Sequence, residues 1–96
     1  MKTFHNEETE RLYQAVLSLK DTDECRSFFE DICTVKELQD IAQRLTVAEM
    51  LKAGNSYQAV SAATGASTAT ISRVNKCLVY GNGGYDTVIK RLAEEA

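Results

Sequence analysis

The 96-residue chain has no proline and no tryptophan, one histidine, three cysteines and five glycines. Without proline nothing obliges a helix to kink or stop, and only Gly54 and Gly65 interrupt the chain before the cluster at Gly81, Gly83 and Gly84. No apolar run approaches the roughly 20 residues that a membrane span needs. The opening MKTFHNEETE follows one lysine with acids, where a signal peptide has its apolar stretch. A cytoplasmic protein that does not engage a membrane is expected.

The lone His5 leaves little for a histidine metal cluster or a Ser–His or Cys–His catalytic pair. Cys25, Cys33 and Cys77 are odd in number and lack C-x-x-C spacing, which argues against a disulfide framework and a thiolate zinc site. Reduced, mostly buried thiols are expected. The acids cluster at Glu7, Glu8 and Glu10 and at Asp21, Asp23 and Glu24, where helix starts and solvated faces account for them. An enzyme, a bound metal and an obligatory cofactor are therefore not expected.

What the chain has is 44% hydrophobic and 26% charged residues, the composition of a globular domain. The length accommodates one domain, residues 1–96. A chain of this size buries only a little more than about 60% of its unfolded surface, so the core of a single copy is thin and self-association is expected. The net charge of −3 is unevenly spread: residues 1–40 carry five basic and ten acidic side chains, residues 41–96 six basic and four acidic. Between residues 55 and 93, Arg73, Lys76, Lys90 and Arg91 face only Asp86. Local field, rather than whole-chain charge, decides where a polyanion docks.

The periodicity is helical throughout, with no internal repeat or long linker. Leu12, Tyr13, Val16 and Leu17 predict a helix over about 7–19 behind Asn6. Cys25, Phe28, Phe29 and Ile32 predict a second, capped from Asp21 to Asp23. Thr34 and Glu37 form a capping box for a third helix, whose stripe of Leu38, Ile41, Ala42, Leu45, Ala48 and Leu51 runs to Gly54. Gln39, Gln43, Arg44 and Lys52 lie on its opposite face. A last helix is expected behind Asp86, with Val88, Ile89 and Leu92 on one side.

Between these, the pattern shortens. Ser56 caps a two-turn helix over 57–63, Thr64-Gly65-Ala66 makes a tight turn, and Ser67 caps a helix from Thr68 to about Leu78. Ser61 and Ala62 are small where the two helices must approach. Two short helices with a glycine turn form a helix-turn-helix at about 56–78. Ile71, Val74 and Leu78 hold the second helix down, leaving Thr68, Ala69, Ser72, Arg73, Asn75 and Lys76 outside.

A helix with small polar residues at its N-terminus can approach base edges in the major groove. Thr68, Ala69 and Ser72 have that character, and Arg73 and Lys76 can reach guanine edges or phosphates. Ser67 with its helix amides, Gln58 and Tyr57 are candidates for the phosphate backbone, and Gln43 and Arg44 can extend the footprint. An αα-corner with a solvated polar face has the same spacing. The segment VSAATGASTATISRV is more specific, matching turn and recognition helix in many bacterial regulators.

The helix order, the Thr34 capping box, Arg44, and ATGASTATISRVNKCL followed by YGNGGYDTVIKRL make residues 7–93 resemble the Trp-repressor-like proteins. The resemblance is closest to their small Firmicute-type branch, usually labelled YerC/YecD. It implies an all-α, six-helix fold and an intertwined homodimer, the first three helices and the last interlocking between chains while two helix-turn-helix heads project. It also implies a corepressor pocket, with Thr34, Arg44, Thr70 and Arg73 at the positions of the family's threonines and arginines. There, guanidinium planes can sandwich an indole and Arg73 can bind a carboxylate. Cys77 departs from the pattern, replacing a serine hydroxyl, and Val74 replaces a glycine that leaves room beside the ligand. These residues have other uses: Thr34 is needed as a cap, Thr70 can bond within its helix, and both arginines can bind phosphate.

The expected function is sequence-specific binding of double-stranded DNA by a homodimeric transcriptional regulator, a repressor in type, through the helix at 68–78. Two alternatives remain at this level. One is an all-α protein-interaction module, favoured by the acidic first half. The other is an amino-acid-responsive regulator that binds tryptophan or another small effector.

Overall fold

The computed structural model describes residues 6–95, so His5 lies outside the described residues. Among them are six helices and no strand: α1 (Glu7–Leu17), α2 (Thr22–Ile32), α3 (Val35–Lys52), α4 (Tyr57–Thr64), α5 (Thr68–Tyr80) and α6 (Gly84–Glu95). The chain forms two compact units, one up to Gln39 and one from Asp40 onward.

In the first unit the helices are set by local hydrogen bonds. Asn6 Oδ1 accepts from the Thr9 amide at 2.7 Å while the Asn6 amide donates to Thr9 Oγ1 at 3.1 Å, a reciprocal cap that starts α1. Glu7, Glu8 and Glu10 occupy its first turn, where they face the positive end of the helix dipole. Ser18 closes α1, its hydroxyl donating to the Ala15 carbonyl at 2.6 Å, so this helix ends at Leu17, two residues short of expectation. Asp21 caps α2 by accepting from the Glu24 amide at 2.9 Å. Phe28 and Phe29 meet edge to face with centroids 5.6 Å apart.

Neither α1 nor α2 contains a buried residue. Leu17 is 84% exposed, and Tyr13, Ile32 and Val35 are also open. Cys25 and Cys33 are free and half-buried, as is Cys77, rather than buried as expected. The small core encloses none of the three.

The capping box at the start of α3 forms as the sequence requires. The Glu37 amide donates to Thr34 Oγ1 at 3.1 Å, and the Thr34 amide donates to Glu37 Oε1 at 2.8 Å. At the other end Gly54 adopts φ +93°, its amide donates to the Leu51 carbonyl and the Asn55 amide to that of Met50, the two bonds of a Schellman motif.

The second unit contains the core: Val47, Ala48, Val60, Ala66, Ile71 and Val74, flanked by Met50, Leu51, Leu78, Tyr85 and Ile89. The stripe expected on α3 is buried in part: Ala48 is in the core and Leu38, Leu45 and Leu51 are half-buried. Ile41 is 44% exposed, Ala42 is also exposed, and the fully buried pair is Val47 with Ala48. The helix carries two apolar stripes, and the one used in this unit follows 44, 47, 48 and 51, with Arg44 at its head concealing it from a hydrophobicity count.

The start of α6 also departs from expectation. The helix begins at Gly84, behind Gly83 at φ +81°, and Asp86 sits inside the first turn instead of capping it. Its carboxylate pairs with Lys52 Nζ at 2.9 Å. No helix among the described residues is long and apolar enough to cross a membrane.

Candidate nucleic-acid interface

The helix pair α4–α5 begins at Ser56, whose hydroxyl accepts from the Ala59 amide at 3.1 Å. Val60 is the one fully buried residue of α4 and anchors it to the core, while Tyr57 and Gln58 in the first turn are exposed. The helix runs one residue beyond expectation, to Thr64, and stops because Gly65 takes φ +75°. An L side chain is strained there, whatever the space around it.

The turn is held more firmly than its three-residue length suggests. The Gly65 amide donates to the Ser61 carbonyl at 2.8 Å, Ser61 Oγ donates to the Ala66 carbonyl at 2.9 Å, and Thr64 Oγ1 donates to the Val60 carbonyl at 2.8 Å. Thr64 Oγ1 also accepts from the Ala66 amide at 3.1 Å. Ala66 is buried, and its small side chain is the one that permits close packing here; Ala62, expected in that role, is exposed.

α5 starts behind Ser67, whose hydroxyl accepts from the Thr70 amide and donates to Thr70 Oγ1, both at 3.1 Å. Ser67 is therefore engaged in its cap. The amides of Thr68 and Ala69 ahead of it have no carbonyl within the helix to bond, the general condition of a first helical turn. Ile71 and Val74 are buried, and Leu78 is packed beside them. On the opposite side Thr68, Ala69, Ser72, Arg73 and Lys76 are all exposed. Their spacing places them on one face over two turns. Asn75, expected outside, is half-buried, and α5 continues to Tyr80, two residues beyond the predicted end.

The electrostatics follow from the Lys52–Asp86 pair. Asp86 is the only acid between residues 55 and 93, and its charge is offset by a lysine from outside that stretch. Arg73, Lys76, Lys90 and Arg91 therefore leave this segment with a positive excess. Gln43 also departs from expectation. Instead of extending the exposed footprint, its amide Nε2 donates to the Thr64 carbonyl at 3.1 Å and ties α3 to the end of α4.

Of the residues assigned to a corepressor pocket, the two threonines take part in helix caps, Thr34 at α3 and Thr70 at α5. Thr34, in the first unit, is exposed and uses its hydroxyl as the α3 cap. Arg44, Thr70 and Cys77 are half-buried and Arg73 is exposed. Val74 is 1% exposed, so its side chain occupies core volume beside α5.

Residues 7–93 match the family model of the Trp repressor protein. The chain is 53% identical over 87 residues to an uncharacterized protein, YerC, of Bacillus subtilis, covering 91% of this chain and 84% of that one. Among solved structures, a TrpR-like protein from Eubacterium eligens superposes with a TM-score of 0.88 at 53% identity, over 92% of this chain and 91% of that one. A candidate Trp repressor from Staphylococcus aureus superposes with a TM-score of 0.89 at 43% identity, over 93% and 89%. A whole-chain match in sequence and in backbone leaves one assignment: the chain belongs to the Trp repressor family.

Proposed function

We propose that the chain is a cytoplasmic, DNA-binding transcriptional repressor that acts as a single domain, residues 1–96, within a homodimer. α5 of each subunit enters the major groove of one half-site. Thr68, Ala69 and Ser72 approach base edges and thymine methyls, while Arg73 and Lys76 reach guanine edges or phosphates. Gln58 and the first-turn amides of α5, held in place by the Ser67 cap, clamp the phosphate backbone. A two-fold dimer of this kind reads half-sites about 34–36 Å apart.

One observation carries the reading: α5 is pinned through Ile71 and Val74 while its opposite face presents five small or basic side chains to solvent. A second copy is the partner that suits Leu17, Tyr13, Ile32 and Val35, apolar side chains left exposed on a chain whose core holds six residues. Tryptophan or another small effector is not required. The packed Val74 supports effector-independent binding, because the volume beside α5 is already filled by protein.

The test is fluorescence anisotropy with duplex DNA across a salt series, with and without L-tryptophan. Affinity is expected to fall at least about tenfold between 50 and 200 mM salt and to be indifferent to tryptophan. Arg73→Ala and Lys76→Ala are each expected to reduce the salt slope by about 1 and to leave the dimer intact. No binding at low salt would replace this reading with that of a protein-interaction module.

A further inference from the structure

We propose that Gln43 is a positioning residue, fixing the pitch at which the α4–α5 pair presents its outer face; the role in recognition rests on the DNA-binding reading above. The Thr64 carbonyl lies at the C-terminal end of α4, where helix geometry leaves carbonyls without an intrahelical amide. Gln43 Nε2 supplies the donor at 3.1 Å, from 21 residues earlier in the chain. The bond is part-buried, between two half-buried residues, so water competes for it less than at the open surface.

Thr64 is the centre of the turn. Its hydroxyl bonds the Val60 carbonyl at 2.8 Å and the Ala66 amide at 3.1 Å, and Ala66 is bonded in turn by Ser61 Oγ at 2.9 Å. Ala66 precedes Ser67, the cap of α5. A continuous set of hydrogen bonds therefore runs from α3 through the turn to the first residue that sets the direction of α5.

Leverage makes that direction consequential. Lys76 lies eight residues beyond Thr68, about 12 Å along the helix axis at 1.5 Å per residue, so a tilt of about 5° at the turn displaces it by about 1 Å. Hydrogen bonds to base edges and phosphates tolerate little more than that.

The chemistry of the tie is specific. A peptide carbonyl only accepts, so the side chain at position 43 must donate. Gln43→Met keeps length and bulk and loses the donor. Gln43→Glu sets a carboxylate oxygen against the carbonyl. Neither removes a residue of the buried cluster.

The experiment combines backbone amide hydrogen exchange with anisotropy on the same duplex, well below the melting temperature of each protein, where a loss of overall stability leaves the folded fraction unchanged. Lys76→Ala is the control for loss of a DNA contact. In both Gln43 variants the amides of Gly65 and Ala66 are expected to exchange about tenfold faster, the equivalent of one lost hydrogen bond. DNA affinity is expected to fall about five- to tenfold, more for Gln43→Glu, while Lys76→Ala keeps wild-type exchange. Unchanged exchange at the turn overturns the proposal, as does faster exchange with wild-type affinity, which makes Gln43 a local strut. Failure of the wild-type chain itself to bind DNA overturns the reading beneath it, and is told apart because the wild type, not the variant, fails.

Discussion

The two compact units differ in what holds their helices. Up to Gln39, every helix start is set by a side chain within three residues: Asn6 for α1, Asp21 for α2 and Thr34 for α3. No residue of α1 or α2 is buried, and residues 1–40 carry twice as many acids as bases. From Asp40 onward Ser56 and Ser67 cap α4 and α5 in the same way, but the helices also share a core of six residues and a positive excess. Capping defines where a helix begins; burial against a neighbour determines whether it stays. The second unit has both, and the first leaves apolar side chains such as Leu17, Tyr13 and Ile32 exposed.

The largest test of this contrast is Ile71→Ala. Ile71 is fully buried at the centre of the second unit, and its truncation is expected to cost about 2–5 kcal/mol in urea titration followed by circular dichroism. A cost below about 1 kcal/mol would mean that the core collapses around the gap and that the second unit is not rigidly packed.

Leu17→Asp tests the other side of the comparison. In an isolated chain a substitution at an 84% exposed position is nearly neutral, within about 0.5 kcal/mol. If α1 is covered by a second copy, a buried carboxylate weakens dimerisation at least about tenfold, read by sedimentation equilibrium over a range of protein concentrations. A monomer–dimer equilibrium that Leu17→Asp does not move would remove α1 from the interface.

Gly65→Ala separates backbone strain from packing. A Cβ at this position meets nothing within 4 Å, so the expected loss of about 1–2 kcal/mol comes only from the left-handed φ. DNA affinity should fall with it if the turn sets the direction of α5. Lys52→Met is the smallest effect. The Lys52–Asp86 pair has side chains 47% and 50% exposed, so after solvent screening its loss is expected to cost at most about 0.5 kcal/mol in thermal melts. The same change leaves Asp86 uncompensated, and the salt dependence of DNA binding should register it before stability does.

Most of the secondary structure was legible because its signals are short-range. Asn6, Asp21, Thr34, Ser56 and Ser67 each act on an amide three residues away, and Gly54 and Gly65 end their helices by a conformation other residues avoid. The outward face of α5 was legible too, since Ile71 and Val74 fix its inward side by helical spacing alone. Asp86 misled because an acid near a helix start suits both a cap and a first-turn position; here the helix begins at Gly84 and the carboxylate pairs with Lys52. Gln43 misled because an amide on a polar face has the same sequence signature whether it meets water or a carbonyl.

The sequence by itself determined the helices, their order, the helix-turn-helix spacing and the family, all consequences of local dihedral preference, capping and 3.6-residue periodicity. Tertiary structure alone decided that Val47 joins Ala48 in the core while Ile41 and Ala42 stay exposed, and that Gln43 serves the turn. Those choices join residues far apart in the chain, 21 positions in the case of Gln43 and Thr64. They depend on where one helix crosses another, a distance over which neither capping nor periodicity carries information.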